Sequence, residues 1–369
     1  MWLELASPRG YLYLVPWERL FAQVLLQPVL RLPNHTLRPQ APSDALEIAL
    51  CASSPMAKTP FDTPGELERL ARLWVTRSRH RTRVHLFTDI SGYSEVAQRT
   101  ADLGPAVVIH DPHYADQYVA PIRTSRLTTS AEIVNPWLLW IRDSLHGQAL
   151  DVVHFVTHGY LAGERGAIAL ASTPLLNTDT QFSRFVGSAE TSALLAQVGA
   201  WCLTLTGPPD NYSGAGLREL ADAIALVRPG VVLVDELGLD RESTQFAATV
   251  EMVFGEGPAV TQAMPAITCW AHPRFVEYPR TPQQADLLTA DGRSSLIEPA
   301  THDALASEPT PAWVAAATRY LEAQQSEWVP GTTEAGEADP DAVAALRSVS
   351  KLLDNHVRRH RGVGPGGAM

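Results

Sequence analysis

Cysteine is scarce in this chain: Cys51, Cys202 and Cys269 are the only ones in 369 residues, and no two of them form a CxxC pair. Each lies in an apolar, strand-like run, which fits reduced core thiols and argues against a disulfide framework or a cysteine-based zinc site. Long apolar runs are missing as well. None reaches the roughly 20 residues that cross a bilayer, and the opening Met1-Trp-Leu-Glu-Leu5 lacks the basic head and apolar stretch of a signal peptide. A cytoplasmic protein with no membrane span is expected. Positive charge is also in short supply, with 29 basic against 40 acidic residues, a net charge of −11 and no long basic block. That balance argues against a grip on a phosphate backbone, so nucleic acid is not expected as a direct partner. Internal repeats are absent.

What the chain does have is enough apolar material, 45% of its residues, to bury one large core or two modest ones. Short β-like runs recur at Tyr11 to Val15, Leu46 to Cys51, Arg83 to Phe87, Val107 to His110, Asp151 to Thr157, Ala200 to Leu205, Val231 to Val234 and Ala266 to Trp270. Between several of them lie amphipathic stretches, Pro64 to Thr76, Glu132 to Ser144, Ala215 to Val227 and Glu242 to Val253. Such alternation predicts an α/β sandwich, a mainly parallel sheet with helices on both faces.

Three segments are expected: residues 1–275 as the α/β domain, 276–338 as a loop with a packing helix from Pro311 to Trp328, and 339–369 as a terminal helix and tail. Asp339-Pro340 supplies an N-cap and a first-turn proline, and Val343, Leu346, Val349, Leu353 and Val357 form one apolar stripe. Arg358, Arg359 and Arg361 oppose the negative end of the helix dipole. The stripe is expected either to dock on the core or to receive a partner helix. The Gly-rich tail from Gly362 is expected to be disordered.

Two strand ends carry the functional expectation. Asp151-Val-Val-His-Phe-Val-Thr-His158-Gly159 reads as a strand that stops at His-Gly, and Val198-Gly-Ala-Trp-Cys-Leu-Thr-Leu-Thr206-Gly207 as a second, followed by a Pro/Gly/Asn-rich loop and a helix. In open α/β sheets reactive groups gather beyond the carboxyl ends of neighbouring strands, so His158 and the end of the second strand are expected to share one site. His154, on the same side of its strand, reads as a satisfied interior histidine. His154 and His158 are too far apart along a strand to hold zinc together, and no metal or cofactor is expected.

In this order the landmarks resemble the CHAT domains, bacterial members of the caspase-like (clan CD) cysteine peptidase fold. The resemblance rests on Gly10-Tyr-Leu-Tyr-Leu-Val-Pro-Trp-Glu-Arg19, on His154 to Gly159, on Gly166-Ala-Ile-Ala-Leu170, and on Leu203 to Gly207 with the helix Gly214 to Val227 and Arg228-Pro-Gly-Val-Val-Leu233. It spans about residues 10 to 275. It implies a caspase-like three-layer sandwich, a role in a bacterial signalling or defence assembly, and a protein or peptide partner; the C-terminal hundred residues lie outside it, and the helical extension there, with its stripe as a second partner contact, is an expectation from the residues alone. It also implies His158 as the catalytic histidine, either active or vestigial, and sets Thr206 at the position of the nucleophilic cysteine. Gly159, Gly207, Asp210 and Asn211 would border the substrate or partner groove.

Threonine at that position departs from the family on the residue its chemistry requires. A cysteine attacks as a thiolate, whereas an internal threonine hydroxyl has no such accessible anion. Cys202 shares a face with Thr206 but lies four residues upstream, roughly 13 Å of strand. The resemblance therefore implies a degenerate peptidase retained as a binding or regulatory module; the alternative is an active cysteine endopeptidase whose nucleophile lies elsewhere. Other motifs have ordinary readings. Leu86 to Tyr93 is similar to the metal-binding strand of class III nucleotide cyclases, but Asp89 reads as a helix cap. His110-Asp-Pro-His113 with Asp116 reads as a turn. The glycines of Gly207 to Gly216 lack the Lys-Ser/Thr ending of a phosphate loop.

Overall fold

A computed structural model of the chain describes residues 1–5, 11–33, 45–55, 62–78, 81–118, 132–175, 183–209, 213–228, 230–254 and 262–271. All of these belong to a compact unit, Met1–Tyr278. The expected helices after Pro311 and Asp339, the tail, and groove residues Asp210 and Asn211 lie outside the described residues.

The strands are β1 (Trp2–Leu3), β2 (Leu30–Arg31), β3 (Ala45–Ser53), β4 (Arg81–Phe87), β5 (Val107–Ile109), β6 (Val152–Ala162), β7 (Arg165–Ala171), β8 (Ser183–Gly187), β9 (Cys202–Gly207), β10 (Val231–Glu236) and β11 (Ile267–Trp270). Their order is β1-β2-β11-β10-β9-β6-β3-β4-β5, with β7 and β8 branching from β6. The main run is parallel except where β11 joins β10, and the β6–β7–β8 branch is antiparallel. The fold class is thus α/β with a mainly parallel, mixed sheet.

The helices are α1 (Trp17–Phe21), α2 (Thr63–Arg77), α3 (Tyr93–Arg99), α4 (Pro136–Ser144), α5 (Ser188–Gln197), α6 (Ser213–Val227) and α7 (Thr244–Phe254). Period-2 alternation divides the buried strand residues between two clusters. Ala49, Phe155, Leu203 and Val232 pack beneath Trp137 and Ile141 of α4, Leu194 of α5, and Leu217 and Ile224 of α6. Ile48, Leu50, Val152 and Leu233 pack beneath Leu70 and Trp74 of α2, Val96 of α3, and Phe246 and Phe254 of α7.

Several expected boundaries move, for identifiable reasons. Tyr11 to Val15 is not a strand: Leu12–Leu14 is a 3-10 turn. The carbonyls of Tyr13 and Val15 accept from the Arg31 guanidinium at 2.8 and 2.9 Å, so they are not offered to a neighbouring strand. The helix expected from Glu132 starts at Pro136, because proline drives the preceding residue out of helical conformation. Asn135 is extended and caps the helix, its side chain accepting from the Trp137 N–H at 2.9 Å. The strand expected to stop at His158-Gly159 continues to Ala162, turns at Gly163 (φ +62) and pairs back with β7. Asp89 turns the chain into α3 by accepting from the Ser91 and Gly92 N–H groups, each at 3.0 Å. Asp111 likewise accepts from the His113 N–H at 2.9 Å at the head of a 3-10 turn, Pro112–Gln117.

Candidate functional site

Strands β3, β6 and β9 lie side by side and parallel at the centre of the sheet, so their carboxyl ends open on one edge. In β6 and β9, His154 and Thr206 project toward α2 and α7. There they join two further residues in a line of buried polar groups, Trp74, His154, Thr206 and Asp235.

Trp74 fixes the direction of every bond in that line. An indole N–H can only donate, and Trp74 Nε1 lies 3.2 Å from His154 Nδ1. The imidazole therefore accepts at Nδ1 and carries its proton on Nε2. Nε2–H donates to Thr206 Oγ1 at 2.8 Å, and the threonine hydroxyl in turn donates to Asp235 Oδ2 at 3.4 Å. His154, Thr206 and Asp235 are all fully buried. Burial pushes the His154 pKa down to about 3, so the ring is neutral. Burial, reinforced by the Asp240 charge, holds the Asp235 carboxyl well above the usual range. Its second oxygen, Oδ1, has no partner among the described residues.

Thr206 thus engages His154 rather than His158. The strand register gives the reason: Val156 on β6 is level with Thr206 on β9. His158 lies two residues further along, roughly 7 Å, and continuing that register sets it level with Pro208, which has no nucleophilic group.

His158 sits at the sheet edge with a serine hydroxyl at each ring nitrogen. Ser54 Oγ, just past β3, is 3.4 Å from Nε2, and Ser213 Oγ, the first residue of α6, is 3.5 Å from Nδ1. His158 and Ser213 are 1% and 2% exposed. The groove glycines Gly159 and Gly207 mark close approaches to α6. A Cβ at Gly159 would fall 2.2 Å from the Ser213 carbonyl oxygen, and one at Gly207 would fall 2.8 Å from Leu217 Cδ1.

All three thiols are buried and unbonded to one another. Burial raises the pKa of each, with Asp89 adding to the rise at Cys51. None combines the exposure and the low pKa of a reactive cysteine. Among the described residues no cluster of three or more His, Cys, Asp or Glu side chains is placed to hold a metal ion, and no helix is long and apolar enough to cross a membrane.

Sequence reasoning missed Ser54, Ser213 and Asp235 as neighbours of these groups. Asp235 carried one signal, a carboxylate closing the apolar run Val231 to Val234, whereas lone serines at a loop and a helix start carry none. No protein-family model matches the chain, and neither a curated protein nor a solved structure matches it.

Proposed function

We propose that this chain is a caspase-like module similar to the CHAT domains, a degenerate peptidase whose crevice around His158 binds a protein or peptide in a bacterial signalling or defence assembly. The observation that carries the reading is the position of Thr206. The residue at the nucleophile position is fully buried, points toward α2 and α7, and spends its hydroxyl on His154 and Asp235. The buried thiols with raised pKa support the same reading, since a cysteine peptidase needs an accessible thiolate. His158, at the carboxyl end of the central strands, marks where ligands lie in open α/β sheets.

The test is to treat the full chain with a panel of thiol-directed peptidyl electrophiles and map adducts by mass. No adduct is expected at Cys51, Cys202 or Cys269, and a His158-dependent adduct on any of them overturns the reading. A photo-crosslinking residue at Tyr160, exposed two residues beyond His158 on the same strand, is expected to capture a defined protein partner, and a His158→Trp block is expected to abolish that capture. Capture unaffected by the block removes the crevice from the binding surface.

A further inference from the structure

The polarity of α1 is turned inside out. Its one buried residue is the charged Glu18, 3% exposed, whereas Leu20 is 49% exposed. The inversion continues on both sides of the helix: Tyr11 and Leu12 before it, and Val24 and Leu26 after it, the last two 76% and 86% exposed, all face solvent. A lone exposed leucine needs no explanation, but a run of large apolar side chains around a buried carboxylate does. We propose that this face, residues 11–26, is where two copies of the chain meet, apolar surface against apolar surface about a two-fold axis. The inference goes beyond the reading of His158 and holds whatever that residue binds.

The inversion is fixed from beneath. Glu18 accepts from Arg31 Nε at 2.7 Å and from Arg31 Nη2 at 3.0 Å, and both side chains are almost fully enclosed. The same guanidinium holds the Tyr13 and Val15 carbonyls, and Arg218 of α6 donates to the Leu14 carbonyl at 3.1 Å. Rolling the segment over to bury its leucines would strand these charges, which costs more than the leucines return. Each large aliphatic side chain left outside forgoes about 1.5–3 kcal/mol of burial. A second copy supplies that burial without disturbing the bonds below.

The outward side chains form one surface. Trp17 Nε1 donates to the Leu12 carbonyl at 2.8 Å, the Trp17 and Phe21 rings stack with centroids 5.8 Å apart, and the Val24 N–H bonds back to the Phe21 carbonyl at 3.0 Å. Tyr11, Leu12, Leu20, Val24 and Leu26 present roughly 500–600 Å² between them, at the upper end of what monomers carry. Two such faces bury about 1,000–1,200 Å² together, the size at which a specific contact becomes stable, and the half-buried Trp17 and Phe21 rings add to it.

Charge selects the occupant. Glu18 and Arg19 are the only charged residues from 11 to 26. Glu18 is turned inward onto Arg31, and Arg19 Nη2 bonds Glu236 at 2.9 Å. A two-fold contact sets a patch against itself, so a chain of net charge −11 meets its own copy best through a face that carries no free charge. A lipid surface fits less well. Helices that lie in a membrane interface pair their apolar face with one rich in lysine and arginine, whereas α1 is five residues long and has a single arginine.

The experiment is sedimentation velocity of the full chain over a wide range of concentration, which is expected to show a monomer–dimer equilibrium. Val24→Asp combined with Leu26→Asp is expected to weaken dimerisation by about a hundredfold or more, since it sets like charges across the axis. Tyr114→Asp, at an equally exposed position outside this face, is expected to leave it unchanged. A photo-crosslinking residue at Leu20, in an otherwise native chain mixed with an isotope-labelled copy, is expected to join residues 11–26 of the two copies. A monomer at every concentration overturns the inference. So does a dimer that survives both aspartates, or a crosslink to the second copy outside residues 11–26. A monomer that floats with phosphatidylcholine vesicles, and ceases to do so with the two aspartates, gives the face to lipid and overturns the inference as well.

Discussion

Replacing Thr206 by valine changes almost no volume and removes one hydroxyl, so it isolates what that hydroxyl does. In the folded chain it accepts from His154 Nε2–H at 2.8 Å and donates to Asp235 Oδ2 at 3.4 Å, and both partners are fully buried. A buried polar group left without its partner costs about 1–3 kcal/mol, so stranding two predicts a loss of roughly 2–6 kcal/mol. Thr206→Ser keeps the hydroxyl and gives up one methyl group, for about 1 kcal/mol. Against a typical total stability of about 5–15 kcal/mol, the valine variant is severely weakened and the serine variant is not. Urea unfolding followed by circular dichroism measures this. The midpoint is expected to fall by roughly 1–2 M for valine with the slope unchanged. A hydroxyl offered to the crevice as a nucleophile would behave differently, its removal changing stability by no more than about 0.5 kcal/mol. A valine variant as stable as the serine variant would refute the buried line of bonds.

The same line sets a pH dependence in which two contributions run in opposite directions. His154 titrates near 3 when folded against a usual 6.5, so its contribution is intact above about 6.5 and is lost as pH falls toward 3. The Asp235 carboxyl is raised above its usual 3.8, so its contribution is full below about 3.8 and is lost as pH rises through the folded value. Asp235→Asn is therefore expected to make stability rise more steeply with pH between about 4 and 6.5 than in the native chain, read by urea midpoints at each pH; an unchanged slope overturns the assignment. Arg31 meets Glu18 at 2.7 Å beneath the Trp270 ring, with both side chains almost fully enclosed. Arg31→Met leaves that carboxylate buried and unpaired and is expected to cost about 3–5 kcal/mol in the same unfolding assay. Gly159→Ala forces a methyl group against the Ser213 carbonyl and is expected to lower stability by about 1–3 kcal/mol, with amide-exchange protection falling first in α6.

Local pattern was enough to place most of the sheet and its covering helices, because an alternation of apolar runs with amphipathic stretches has few packed solutions. Thus β3, β4, β9, β10, α2, α6 and α7 lie within a few residues of where periodicity puts them. The misplacements occur where a distant group decides the outcome. Arg31 satisfies the carbonyls of the segment before α1, which keeps an apolar run from becoming a strand. The antiparallel partner β7 carries β6 past a glycine that reads locally as a stop. The two-residue strands β1 and β2 exist only through pairing, β1 on β2 and β2 on β11, and have no pattern of their own.

The sequence by itself determined that the chain builds an α/β domain, that its three thiols belong to apolar strands, and that a histidine stands toward the end of a central strand near a second strand ending in Thr206. Tertiary structure alone decided which hydroxyl meets which imidazole. Strand register is set by pairing across the sheet, and it places Thr206 level with Val156, beside His154 and short of His158. Two glycines, whose missing side chains have meaning only once β6 and α6 are in contact, then bring Ser213 to His158 instead.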